Sequence, residues 1–234
     1  MILNEIKKDL YKLKDPAKAK FLAGFFKTGQ GEYGEGDIFL GIPVPEQRQI
    51  AKKYSGTNLM ILQKLLQGKM HEERLTALLV LIDNYKMADE EEKEKIVDFY
   101  LKNTKYINNW DLVDLSTPKI LGDHLLQKNK SVLYRLAKSN ILWERRIAII
   151  ATFEFIKNNQ FEDTLKISYL LLEDKQDLIH KAVGWMLREV GKRDQKAEEQ
   201  FLKKYYKKMP RTMLRYAIEK FPENKRQLYL KGKY

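Results

Sequence analysis

A helical stripe returns at a near-constant interval along this chain. The segments ERLTALLVLI, NNWDLVDLS, ERRIAIIATF, HKAVGWMLREV and LRYAIEKF align on Ala77, Leu112, Ala148, Ala182 and Ala217, at intervals of 35, 36, 34 and 35 residues. Such a recurrence belongs to stacked helical pairs, because a single pair cannot bury its apolar face and must lay it on a neighbour. A sheet would need side chains alternating with a period of two, and IFLGIPVP is the one extended candidate.

The fold this predicts is all-α, a curved α-solenoid of HEAT-like repeats with about six or seven helical pairs. At 234 residues the chain exceeds the usual size of a single compact core. A solenoid removes that difficulty because its core runs the length of the array, so residues 1–234 are read as one repeat domain. Hydrophobic content of 44% suffices for such a core. Forty-four Lys+Arg against 32 Asp+Glu give a net charge of +12, which favours a polyanionic partner through counterion release and steering. The absence of cysteine excludes disulfides, thiol nucleophiles and thiolate metal sites. No stretch approaches the roughly 18 apolar residues of a membrane span, and the charged N-terminus lacks a signal core. The expectation is a cytoplasmic monomer without membrane contact.

Helices are expected over 2–13 and from Asp15-Pro16 to Phe26, where an acidic cap precedes a proline at the first turn. A glycine-rich loop, TGQGEYGEGD, follows. Further helices are expected near 58–67, 70–86, 89–102, 106–115, 118–127, 130–138, 141–157, 162–173, 177–190, 194–207 and 211–220. Asp89 with Glu92 resembles a capping box, and Pro118 and Pro210 stand where helices should begin. The acidic run at 88–95 suits a helix start, and the lysine-rich KKYYKKMPR stretch (203–211) suits either phosphate or plain solvent.

Several motifs carry no chemistry. Gly29, Gly31 and Gly34 match G-x-G-x-x-G, but a helix precedes the loop where a strand is required, and Glu32, Glu35 and Asp37 would repel phosphate. His71, His124 and His180 form no metal-ligand pair, and no HExxH or GxSxG pattern occurs. The reading calls for no metal and no cofactor.

The stripe itself is different. Trp110 and Asp114 are four apart and share a helix face, whereas Asp111 points about 100° away and reads as a structural acid. Arg146 precedes the next alignment point, Trp185 follows the one after, and Arg188 lies one turn further. Tryptophans in repeat proteins commonly fill cores, and Trp143 is expected to do so. On inner helices of a basic array, however, two indoles, a carboxylate and two arginines would make an aromatic cleft. Such a cleft attracts a cationic base or sugar and meets phosphates bidentately. The residues alone leave open a catalytic cleft and a non-catalytic repeat scaffold that binds nucleic acid or protein.

The stretches NNWDLVD, NILWERRIAI, HKAVGWMLREVGK and FLGIPVPEQR resemble the DNA alkylation repair family, the AlkD-type DNA glycosylases of HEAT-like repeats. The resemblance extends over roughly residues 5–220 and is specific in combination. It implies excision of positively charged N3- and N7-alkylated purines from duplex DNA. It assigns the catalytic carboxylate to Asp114, the cradling indoles to Trp110 and Trp185, and the DNA-contacting arginines to Arg146 and Arg188. Lys157, Lys192 and Arg193 are weaker candidates for backbone contacts. The GEYGEGD insert departs from the best-known members. The implied chemistry suits the inventory: a cationic purine leaves as a neutral molecule without a general acid. What remains is an oxocarbenium-like sugar for a carboxylate to stabilise and a water for it to orient. Members specialised for bulky adducts are a further possibility of the same resemblance.

Overall fold

The computed structural model describes residues 2–233, and among them the extended pairing is confined to one isolated parallel bridge between Ile38 and Met70. The rest is helix and connection, so the all-α expectation holds. The chain forms two compact units, Met1–Leu112 and Val113–Tyr234. The first contains α1 (Ile2–Lys12), α2 (Pro16–Phe25), α3 (Val44–Lys53), α4 (Leu59–Leu66), α5 (His71–Met87), α6 (Glu90–Lys102) and the start of α7 (Trp110–Thr117). The second continues from α7 through α8 (Asp123–Leu125), α9 (Ser131–Leu136), α10 (Leu142–Lys157), α11 (Glu162–Leu170), α12 (Asp177–Arg193), α13 (Gln195–Tyr205), α14 (Arg211–Ala217) and α15 (Glu223–Leu230).

The aligned positions are the centres of the core. Ala77, Leu112, Ala148, Ala182 and Ala217 are all buried, one each on α5, α7, α10, α12 and α14. Alanine at four of the five positions lets neighbouring helices approach closely. In the second unit α10, α12 and α14 pack along one another, while α9 and α11 lie on α10 and α13 lies on α12. In the first unit α3 and α4 flank α5, which is buried nearly all round from His71 to Tyr85. A helix enclosed in this way loses the one-sided pattern of a surface helix.

Local signals explain several boundaries. The Asp15 carboxylate accepts the amides of Ala17 and Lys18 at the start of α2, and Asp89 accepts the amide of Glu92 at the start of α6. Pro210 immediately precedes α14. The FLG segment is extended because Glu72, buried on α5, accepts the amides of Leu40, Gly41 and Ile42 at 2.8, 2.8 and 3.2 Å. Gly41 has φ +88°, and a Cβ there would stand 2.2 Å from the Asp15 carbonyl oxygen.

Three places differ from expectation: α3 (Val44–Lys53) stands where no helix was expected and takes in the end of the extended candidate IFLGIPVP. Pro118, which the sequence places at a helix start, lies inside a continuous helical run from Trp110 to Leu125. Its ring is accommodated by a widened π turn, Pro118–Gly122. In an α-helix the proline ring collides with the carbonyl four residues back, and a turn widened by one residue relieves that collision. Helix α15 has no counterpart in the sequence reading, because ENKRQLYL carries little apolar periodicity.

Candidate active site

Helix α7 begins at Trp110, and the preceding residue sets its start. Asn109, fully buried, accepts the Trp110 amide at 2.8 Å through its side-chain oxygen. Its side-chain NH2 donates to Asp37 at 3.0 Å. The Trp110 ring is half-buried and stacks on Phe26 at 5.1 Å and 16°, with Phe25 edge-on at 6.1 Å. Phe26 continues to Phe39 at 5.0 Å, and Phe39 to His71 at 4.5 Å, which makes a layered aromatic support for one face of the indole.

Asp111, on another face of α7, is buried and accepts from His71 Nε2 at 2.7 Å. The other ring nitrogen of His71 donates to Asp37 at 3.0 Å, and Arg74 also pairs with Asp37. Burial opposes charge on His71, but the two carboxylates prevail and push it up to about 9. Asp37 moves the other way: burial opposes its charge, yet His71, Arg74 and Asn109 hold it below its ordinary range. The expectation that Asp111 is a structural acid therefore agrees with its contacts. The Asp37–His71–Asp111 set is absent from the sequence reading because its members lie 34 and 40 residues apart and share no local pattern.

Asp114 lies one turn beyond Trp110 on the same helix, with its side chain 15% exposed. Arg146, on α10, grips it with a fork: Nε to one carboxylate oxygen at 2.9 Å and Nη2 to the other at 2.8 Å. The remaining arm of Arg146 donates to the Leu178 carbonyl at 2.5 Å. Arg146 is buried at 5% exposure, so the guanidinium expected to meet phosphate is instead engaged by the carboxylate and a backbone oxygen. A bidentate pair fixes the plane of the carboxylate as well as its place.

Trp185 stands half-buried on α12, its ring 5.7 Å from that of Phe153 on α10 and its indole N–H donating to Glu189 at 3.1 Å. Glu189 also receives Lys192 at 2.7 Å and Arg188 at 3.5 Å, while Arg188 pairs with Glu219 as well. Lys157 donates to Glu154 at 2.8 Å and sits 5.0 Å over the Phe153 ring. Arg193 is exposed at the end of α12. Trp185, Arg188 and Lys192 thus converge on Glu189, a hub that no motif announced. His180 donates to the Asp174 carbonyl at 2.5 Å, and Trp143 is buried as a core residue.

The glycine-rich loop binds its own carboxylates. Gly29 donates to Glu32 at 3.0 Å and Gly31 to Glu35 at 2.9 Å, so the amides that would face a phosphate already have partners. Among the described residues no group of three or more metal-ligating side chains converges, and no helix is long and apolar enough to cross a membrane.

No curated protein matches the chain at a meaningful level. Among solved structures, a predicted DNA alkylation repair enzyme from Enterococcus faecalis superposes with a TM-score of 0.71 over 90% of this chain and 97% of its own. The two sequences are 18% identical, a likeness that speaks to the fold. The sequence signature described as DNA alkylation repair enzyme matches residues 6–221, nearly the whole length. The chain belongs to the DNA alkylation repair enzyme family.

Proposed function

We propose that this protein is a monofunctional DNA glycosylase that hydrolyses the N-glycosidic bond of N3- and N7-alkylated, positively charged purines in duplex DNA. The observation that carries the reading is the largely buried yet accessible Asp114 carboxylate, oriented by the Arg146 fork one helical turn from a supported indole. In the proposed reaction the C1′–N bond breaks and its electron pair goes to the cationic purine, which leaves neutral. The sugar passes through an oxocarbenium-like state. Asp114 opposes the developing charge and orients a water whose oxygen bonds to C1′ and whose proton passes to solvent. Trp110 and Trp185 pack against the sugar and exclude solvent, and polarised C–H groups find favourable contact with indole faces. Arg188, Lys157, Lys192 and Arg193 meet the phosphate backbone. Arg146 acts chiefly by positioning the carboxylate.

The test is release of free 7-methylguanine and 3-methyladenine from methylated duplex DNA by wild type and by Asp114→Asn. The expected outcome is release by wild type, a loss of roughly 100-fold or more in the variant, and nearly unchanged duplex affinity. Equal release by both would move catalysis away from Asp114. Duplex binding without release by either would favour a non-catalytic scaffold.

A further inference from the structure

The second unit carries a groove of about 490 Å³ on helices α9, α11 and α13, whereas Arg146, Trp185 and Arg188 stand on α10 and α12. It is lined by apolar and aromatic side chains with lysines among them. Phe201 is buried, Leu165 is half-buried, and Leu170 is 40% exposed. Tyr169 is 52% exposed and lies against Tyr205 at 5.0 Å, which in turn meets Phe201 at 4.9 Å. A tyrosine and a leucine this open on one helix, next to a buried phenylalanine, leave apolar area uncovered.

Lys138, Lys166 and Lys204 belong to the same lining, all three exposed. Lys166 pairs with Glu162 and Lys204 sits 5.2 Å over the Tyr205 ring, while Lys138 has no carboxylate partner among the described residues. The lysine-rich stretch beginning at Lys203 thus contributes one wall through Lys204 and Tyr205. The Tyr134 hydroxyl donates to Asp163 at 2.6 Å and offers no proton to a guest. The floor formed by Leu165, Leu170 and Phe201 presents no polar atom, which suits a bulky apolar side chain better than a nucleobase, whose polar edges need partners there. The surrounding lysines suit carboxylates flanking that side chain.

We propose that this groove docks an acidic segment of another protein, with a bulky apolar residue seated among Leu165, Leu170 and Phe201 and its carboxylates facing Lys138 and Lys204. The site is separate from Asp114 and does not depend on the glycosylase reading. Large apolar anchors ringed by charge are the usual form of short-segment recognition.

The experiment uses the full chain and a fluorescein-labelled aspartate-rich peptide ending in Leu-Phe, followed by anisotropy. Saturable binding is expected, weakened about tenfold or more by Leu170→Glu and by Lys138→Glu. Both positions are exposed, and unchanged circular dichroism and melting would show that the variants remain folded. A peptide with serines in place of Leu-Phe, and one with asparagines in place of aspartates, should each bind about tenfold more weakly. Release of methylated purines should be the same in both groove variants. Absence of saturable binding, or equal binding by the variants, overturns the proposal. So does oligothymidine binding that the same variants weaken while the peptide fails, since that assigns the groove to single-stranded nucleic acid. Self-association abolished by Leu170→Glu would give the groove to a second copy and overturn it as well.

Discussion

His71 keeps a proton that an unpaired imidazole would surrender near pH 6.5, because two carboxylates outweigh the cost of burying its charge. Its folded value of about 9 stands above its ordinary one, so its stabilisation is complete below pH 6.5 and disappears as pH rises through 9. Glu198 adds a second slope of the same sign. Burial raises it most and Glu199 adds to that, against Arg188 and Lys225, to about 9 from 4.5. Its carboxyl is 1% exposed with one oxygen unpartnered, so ionising it costs stability progressively above pH 4.5. Glu198→Gln is therefore expected to raise stability at pH 8 by on the order of 3 kcal/mol, and to be neutral at pH 4. In that background His71→Gln should cost on the order of 3 kcal/mol at pH 6, a loss that shrinks as pH passes 9. Urea melts across this range check both, and a pH-independent difference for His71→Gln would remove the imidazolium from the account.

At the scale of elements, the repeat stripe was readable because each aligned residue is buried in the helical core. The caps at Asp15 and Asp89 were readable because a cap needs only its own next few residues. Asp114, Trp110 and Trp185 could be singled out from their places on that stripe. The partners that hold them could not: Phe26 and Phe153 act across long sequence separations, and Asn109, though next to Trp110, is itself held by the distant Asp37. Arg146 shows the limit most clearly, since its residue type suits phosphate and carboxylate equally and the fold gives it Asp114. Glu72 is a further case, a buried acid whose three amide partners sit some 30 residues earlier. A glutamine there keeps one acceptor and sets an NH2 against backbone N–H groups. Glu72→Gln should accordingly cost about 2–3 kcal/mol in urea unfolding. A change below 0.5 kcal/mol, the usual range for surface substitutions, would mean that the FLG segment is held by its packing alone.

For the molecule as a whole, the 44 Lys+Arg overstate the cations free to meet DNA, because many are already paired on the surface. Such pairs contribute little stability and exchange readily for phosphate. Arg188→Ala should lower the slope of log affinity against log salt for duplex DNA by about 1, whereas Arg146→Ala should leave the slope unchanged while weakening catalysis. A lower slope in Arg146→Ala would mean that the fork opens to meet a phosphate. The repeat spacing holds one more consequence. The longest interval, 36 residues from Leu112 to Ala148, contains the π turn at Pro118–Gly122. A π turn is an α-helix that has taken in a single surplus residue, so the run from Trp110 to Leu125 carries the mark of an insertion absorbed without breaking the stack. Excising exposed Lys119 should return the helix to α geometry and the interval to 35, and among one-residue deletions in this run it should lower the melting temperature least. The chain would then tolerate a change of length at the very helix that carries its proposed catalytic acid, because Asp114 lies on the near side of the seam.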